Sequence, residues 1–240
     1  MITKKEGLEF LLNKYDVPHS VKANMLPGWK FYKTDLQEND IPLMPWRHER
    51  KFIELHKLVS SGTIEGVCML RFCCLMDSTA NLAMLMYREF DLCEFIGQGS
   101  IKYVHAVFTD NRSGNVIVKL DNDVIASVEI GNEMPENSKK IDRHEIIARR
   151  GVASDLVVDT QIPQESIYTF TKKGVNGYKD VDNELYGLSE DEVGEVRACF
   201  DYQKNPCQKG DLVKRHLHLS KLIDLAFKSN DNRINIKVEE

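Results

Sequence analysis

Three consecutive β-strand patterns in the middle of the chain constrain its fold more than any other feature. The segments Lys102–Thr109, Asn115–Leu120 and Val124–Ile130 are separated by clusters of turn-forming residues at 110–114 and 121–123. In the third segment, apolar residues at the even positions alternate with Ile, Ser and Glu, as in a strand with one buried face. Because short turns join these strands, we expect them to be antiparallel neighbours in one sheet.

Helix patterns and further strand patterns lie on both sides of this region. Towards the amino terminus the sequence predicts a helix opened by a Thr3–Glu6 capping box, a mostly irregular connection over 22–45 with a short strand at Trp29–Tyr32, a helix at Arg47–Ser61, a strand at Val67–Leu75 and a helix at Asp77–Phe95. Towards the carboxy terminus it predicts a polar loop over 131–140, a short strand or helix at Arg143–Arg150, a strand at Gln164–Thr171, a helix opened by a Ser189–Glu192 capping box and a last helix capped by Asp211.

Antiparallel strands between helices are typical of the α+β class rather than of a doubly wound α/β fold. We therefore predict a mainly antiparallel open sheet packed against helices, with helical segments at both ends of the chain. Residues 1–46 are predicted to form an amino-terminal helical extension and connection, and residues 47–240 the α+β domain. A chain of 240 residues can bury a core without metal ions or disulfides.

Charge and hydropathy exclude several classes of function. The formal net charge is −5 and the pI is about 5.9, so neither nucleic acid nor an anionic membrane is an expected partner. No apolar run approaches the ~20 residues that a membrane-spanning helix needs. The early charged residues Lys4, Lys5 and Glu6 argue against a signal peptide, so we expect a cytoplasmic protein. The six cysteines form no C-x-x-C pair, and we interpret them as small buried residues.

Two motifs and the order of the strands point to a known family. The segment Ser61-Gly62-Thr63-Ile64-Glu65-Gly66-Val67 leads from a helix into a strand, and Phe90-Asp91-Leu92-Cys93-Glu94-Phe95-Ile96-Gly97 ends the next helix. A Val104–Ala106 strand and paired strands ending near Ile130 follow. Together these segments resemble the carboxy-terminal domain of the Gfo/Idh/MocA oxidoreductase family. The resemblance implies an open sheet with one face lining a substrate cleft or a subunit interface, and hence a homo-oligomer formed through the sheet face.

The family's dinucleotide-binding signature is not found in these 240 residues. In the family, a Rossmann domain carries a G-x-G-x-x-G fingerprint that lets a pyrophosphate approach a helix N-terminus. The only G-x-G here, Gly97-Gln98-Gly99, follows a predicted helix and has Lys102 at the last position. The Glu-Lys-Pro motif that supplies a lysine in the family is also absent. We therefore predict no cofactor and expect no NAD(P)-dependent dehydrogenase activity from this chain alone.

The family's D-x-x-x-H pattern is also altered. Counting back from Asp91, Arg88 occupies the histidine position and Met84 the aspartate position. Arginine keeps its proton in proteins and methionine does not titrate, so neither can act as a general acid or base. Arg88 can still bind an anion, and we include it among the candidate substrate-binding residues.

The segment 142–155 has the highest density of polar functional side chains. It supplies His144, Glu145 and Asp155 as candidate catalytic residues. The candidate substrate-binding residues are Arg88, Arg143, Arg149, Asp159 and Gln161. The alternative is a structural or subunit-contact cluster of charges. Because position 148 is Ala, the H-E-x-x-H spacing of a zinc site is excluded, and we predict no metal site.

Three functions follow as hypotheses. The first is a non-catalytic, ligand-binding or oligomerising relative of sugar dehydrogenases, with a small sugar-like ligand. The second is an enzyme of another class, an isomerase, lyase or hydrolase, acting on a sugar or sugar acid. The third is a subunit that a separate Rossmann-domain chain completes. The sequence does not distinguish the first from the third.

Overall fold

The computed structural model describes residues 3–18, 22–136, 138–155, 166–172, 174–179, 185 and 188–239. Its α-helices are α1 (Lys4–Lys14), α2 (Arg50–Ser60), α3 (Leu82–Gly97), α4 (Glu190–Lys204) and α5 (Lys209–Asn232). Its strands are β1 (Asn24–Pro27), β2 (Asp40–Leu43), β3 (Val67–Asp77), β4 (Ile101–Thr109), β5 (Ser113–Leu120), β6 (Ile125–Met134), β7 (Ile141–Ala148), β8 (Gly151–Ser154), β9 (Ser166–Thr171), β10 (Gly174–Lys179) and β11 (Ile236–Lys237). Short 3-10 helices occur at Gly28–Phe31, Pro45–His48 and Pro206–Gln208. The predicted α+β class is confirmed.

The chain divides into two compact units. One comprises Met1–Ile53 and Val181–Ser220, and the other Glu54–Asp180 and Lys221–Glu240. The predicted boundary after residue 46 stays a prediction. Among the described helices, none is long and apolar enough to cross a membrane.

The larger unit is built on a nine-stranded sheet. Its strand order is β10-β9-β8-β7-β3-β6-β5-β4-β11. All neighbouring strands are antiparallel except β3 and β6, which run parallel, so the predicted antiparallel pairing of β4, β5 and β6 is confirmed. Helix α3 packs on β3, β5 and β6. The even-numbered residues Leu70, Phe72 and Cys74 of β3 are buried, because alternate residues of a strand face the same side of the sheet.

The smaller unit holds its elements together with small apolar clusters. Leu11 of α1 packs with Leu185 and Val196, while Ile41 and Leu43 of β2 pack with residues of α4. A side chain at Gly194 would lie 3.0 Å from the Pro45 carbonyl oxygen, so glycine lets α4 approach the 3-10 helix there. Both predicted capping boxes, Thr3–Glu6 and Ser189–Glu192, are present.

Several predicted elements differ from the structure. The Trp29–Tyr32 strand is wrong, since a 3-10 helix occupies Gly28–Phe31 and the strands of that connection are β1 and β2. The predicted cap at Asp211 is also wrong, because α5 begins at Lys209, directly after a 3-10 turn. The polar loop begins later than predicted, since β6 extends to Met134. The segment left open as strand or helix is strand β7.

Candidate functional site

Strand β7 divides the predicted site residues between the two faces of the sheet. Side chains alternate along a strand, so Asp142 and His144 share the buried face while Arg143 and Glu145 lie on the other. Arg143 is exposed and Glu145 is half-buried, opposite Arg71 and Ser154 in the neighbouring strands. The structure therefore does not bring Arg143, His144 and Glu145 together around one cleft.

His144 is fully buried between two carboxylates. Its Nδ1 lies 3.0 Å from Asp155 Oδ2, and its Nε2 lies 3.0 Å from Glu89 Oε2. The backbone N–H of His144 also donates to Asp155 Oδ1, at 2.6 Å. The imidazole meets the Phe72 ring edge-on, with 4.8 Å between ring centroids. An ionised carboxylate only accepts hydrogen bonds, so both ring nitrogens donate and the ring is an imidazolium.

Arg88 of α3 forms the second half of this network. Its Nη1 and Nη2 donate to the two oxygens of Asp142 at 2.8 Å each, the two-pronged geometry that matches a guanidinium to a carboxylate. Nη1 also donates to Glu89 Oε1 at 2.5 Å and lies 3.8 Å from the sulfur of Cys74. Glu89 thus contacts both cations, Arg88 with one oxygen and His144 with the other.

We call these five residues, Arg88, Glu89, Asp142, His144 and Asp155, the buried charge network. Asp142 and His144 of β7 belong to the strand half of the network. In the sheet register they stand opposite Cys74 and Phe72 of β3. Asp155 directly follows β8, and its backbone N–H donates to the His144 carbonyl at 3.1 Å. Helix α3 contributes the other half, which sequence spacing alone could not align with β7.

The electrostatics of the network favour ion pairs. Burial by itself would lower the pKa of His144, but the charges of Glu89 and Asp142 and the hydrogen bonds that His144 donates to Asp155 and Glu89 outweigh it and raise that pKa to about 9. Burial by itself would raise the pKa of Glu89, but the charges of Arg88 and His144 lower it below its usual value. Lys140, with its ammonium 3.8 Å from Asp142, adds a further positive charge at the rim.

Part of the network also has the composition of a metal site. One ligand atom each from Cys74, Glu89 and Asp142 lie within 4.8 Å of one another. The Nη1 atom of Arg88 contacts all three side chains. Burial raises the pKa of the Cys74 thiol far above its ordinary value, so the sulfur is a neutral thiol and a weak ligand. The guanidinium supplies the positive charge that the carboxylates require.

The remaining predicted site residues lie elsewhere. Arg149 is exposed in the turn between β7 and β8, with its aliphatic stem against Gly66. Asp159 and Gln161 lie outside the described residues. Of the predicted set, the structure therefore brings together Arg88, His144 and Asp155, and it joins to them Glu89 and Asp142, which were not predicted. The sequence signal for Asp142 was its alternation with His144. Glu89 had no signal beyond following Arg88.

Solved structures show which known proteins share this fold. Levoglucosan dehydrogenase, in complex with NADH and levoglucosan, matches 83% of this chain with a TM-score of 0.64 at 11% identity, over 66% of its own length. An oxidoreductase from Agrobacterium radiobacter, in complex with NAD+, L-tartaric acid and magnesium, matches 82% with a TM-score of 0.63 at 11% identity, over 64% of its length. The transcriptional regulator Gal80p from Kluyveromyces lactis matches 84% with a TM-score of 0.65 at 13% identity, over 63% of its length.

These matches define the class of fold. The chain has the fold of Gfo/Idh/MocA-type oxidoreductases, as the sequence resemblance predicted. It spans less than two thirds of the length of these proteins, a share consistent with their carboxy-terminal domain alone. No family model and no curated protein matches the sequence. At such low identities the likeness establishes the fold alone.

Replacing His144 with Gln tests the network. The change leaves Glu89 and Asp155 buried without their shared cation, and we expect the free energy of unfolding to fall by about 3–5 kcal/mol. The matched control is Arg150→Ala, in the exposed turn that follows β7 and outside the network, for which we expect a change within about 0.5 kcal/mol. Urea unfolding followed by circular dichroism measures both. Equal effects of the two substitutions would contradict a network that stabilises the fold.

The pH dependence of stability provides a separate test. Because the folded-state pKa of His144 is raised from 6.5 to about 9, its contribution to stability is complete below pH 6.5 and is lost as the pH rises through 9. Glu89, with a lowered pKa, contributes stability that is lost as the pH falls below 4.5. Urea midpoints measured from pH 6 to 10 are expected to decline in the wild type and to decline less in His144→Gln. Parallel curves for the two proteins would refute a charged His144.

Proposed function

We propose that this chain is a non-catalytic domain of oxidoreductase fold that associates with a second copy of itself through the exposed face of its nine-stranded sheet. One observation carries the proposal: a group of exposed apolar side chains lies in register on that face. The exposed fractions are 37% for Met69, 36% for Tyr103, 59% for Val107, 46% for Ile117 and 40% for Ile125.

Register places these five side chains on one surface, which we call the open face. Lys119 of β5 pairs with Tyr103 of β4 and with Ile125 of β6, and Ile125 pairs in turn with Met69 of β3. Cross-strand partners point to the same side of a sheet, so these residues form a row across four strands. Ile117 and Val107 stand two and four residues along from this row in β5 and β4. Contiguous exposed apolar area of this kind typically marks an interaction site.

The charges of the open face favour a second copy as the partner. Arg71, two residues along β3 from Met69, lies 3.5 Å from Glu129 and opposite Glu145 in the sheet register. Arg143 stands opposite Cys73 on the same face. Lys119 of the row is itself paired with Asp123, at 2.7 Å. The face therefore carries charges of both signs, which can pair with their own copies across a twofold axis, where each patch meets itself. A partner with a strongly charged surface of one sign would meet as much repulsion as attraction.

Two features of the residues support the absence of catalysis. Arg88 and Met84 stand where the related enzymes carry a titratable pair, and neither can transfer a proton. His144 directs both ring nitrogens at carboxylates and has no exposed surface, so it offers a substrate neither a free proton nor a free lone pair. The hypothesis of another enzyme class, the sugar-like ligand and the separate Rossmann-domain partner stay predictions.

Association through the open face is testable with charge substitutions. The double variant Ile117→Lys, Ile125→Lys places four like charges in a twofold contact, and we expect it to sediment as a monomer under conditions where the wild type is a dimer or larger. The control is Leu217→Lys, which changes a residue of α5 that is 59% exposed and outside the sheet. A wild type that is monomeric at every concentration would refute the proposal. Its recovery from native cells with a dinucleotide-binding chain would then favour the partner-subunit hypothesis.

The absence of catalysis is tested by calorimetric titration with NADH and NADPH. Because the 240 residues of this sequence contain no glycine-rich phosphate loop of the Rossmann type, we expect no saturable heat of binding at cofactor concentrations up to the millimolar range. Circular dichroism confirms that the titrated protein is folded, and levoglucosan dehydrogenase serves as a positive control for the instrument. Stoichiometric binding together with oxidation of a sugar would refute the non-catalytic assignment without bearing on self-association.

A further inference from the structure

Strand β4 lies one place from the edge of the nine-stranded sheet and would be a strong aggregation site if uncovered. Residues 103–109, Tyr-Val-His-Ala-Val-Phe-Thr, contain no Gly, Pro, Asp, Glu, Lys or Arg. A stretch of this length with high β-propensity and low charge is the kind that pairs with an identical stretch in another chain. On the edge of β4 that faces away from β5, the strand pairing of the described residues is limited to Ile236 and Lys237 of β11, although β4 has nine residues.

The rest of the β4 edge is closed by side chains from the end of α5. The backbone N–H of Ala106 donates to Ser229 Oγ at 3.0 Å, and that of Phe108 donates to Asn230 Oδ1 at 2.8 Å. The amides of Ala106 and Phe108 face away from β5. The amide of Val104, which pairs with Ile236 of β11, does so too. The Lys102 carbonyl accepts from Val238 N–H at 2.8 Å. The outward-facing amides of Val104, Ala106 and Phe108 are therefore all covered by one continuous segment, residues 229–238.

The segment is held in place by its own geometry. Arg233 has a φ of 56°, a left-handed conformation that ends α5 and turns the chain back towards β4. Ser229 is fully buried, and its hydroxyl donates to the Ile234 carbonyl at 2.6 Å while accepting from Ala106. Phe227 packs on Phe108 with ring centroids 5.5 Å apart, which fixes the last turns of the helix beside the strand.

We infer that residues 229–238 act as an autoinhibitory edge guard, which prevents β4 from pairing with β4 of a second copy. The partner that residues 229–238 keep away from β4 is a second copy of this chain. Antiparallel pairing of two identical edge strands is symmetric, and residues 103–109 carry no repelling charge. The inference is independent of the open face, since it concerns the hydrogen-bonding edge of the sheet rather than its surface.

The test is made in the Ile117→Lys, Ile125→Lys background, where the open face cannot contribute to association. Adding Ser229→Ala and Asn230→Ala removes the two side-chain acceptors from the β4 edge. We expect exchange of the Ala106 and Phe108 amides to become about fivefold faster in dilute protein, the factor that corresponds to the loss of one net hydrogen bond. At higher concentration we expect a heavier species in sedimentation velocity, with protection of these amides restored.

Asn232→Ala in the same background is the matched control, because Asn232 is in the same helix turn and donates to the Lys228 carbonyl rather than to β4. It should sediment like the background. Ile236→Pro provides a second route, since it breaks the β11 pairing and leaves the acceptors of α5 in place. We call the Ser229→Ala, Asn230→Ala variant and the Ile236→Pro variant the guard variants. If they keep their circular dichroism spectrum and sediment like the background at every concentration, the inference is overturned. Unfolding of both guard variants would also overturn it, because the segment would then be required for folding rather than for guarding.

Discussion

Burial of ionised side chains between a helix and a sheet is the constraint on which the larger unit depends. A charge removed from water must find an opposite charge and hydrogen bonds. Glu89 meets this requirement only at one position of α3 on the sheet, where Arg88 reaches Asp142 and His144 lies between Glu89 and Asp155. Apolar contacts tolerate small shifts of a helix on a sheet, whereas a guanidinium held by two oxygens does not. The network therefore defines how the helix and two strands are placed.

The fold was predictable from the sequence where its pattern is local. Prediction failed where the structure depends on residues that are distant in the chain. Strands β4, β5 and β6 alternate clearly and are joined by short turns, so their pairing followed from the sequence. The parallel pairing of β3 with β6 is not encoded in either strand alone. Strands β1 and β2 have four residues each and include prolines, so they show no clear alternation. The aromatic-rich stretch Trp29–Tyr32 was predicted as the strand instead, and it is largely a 3-10 helix.

The site was predictable in location more than in membership. The polar density of 142–155 identified the right segment, but density does not resolve the two faces of a strand, and period-2 alternation separates His144 from Arg143 and Glu145. Asp155 reaches His144 because a tight turn brings β8 alongside β7. Arg88 was selected by its place in a family pattern, and its actual partner Asp142 lies 54 residues further along the chain. Such a pairing becomes visible only when the helix and the sheet are assembled.

The two faces of β7 have a consequence for how this chain can change over evolutionary time. Individual side chains on the outer face can be exchanged without disturbing the core, since Arg143 lies outside it. Insertion or deletion of one residue within the strand is another matter, because it would rotate every following side chain to the opposite face. His144 would then face solvent while a glutamate or arginine entered the space beside Phe72. Descendants of this sequence should therefore vary in composition along β7 while keeping its length, and length changes should accumulate in the turn at residues 149–150 instead.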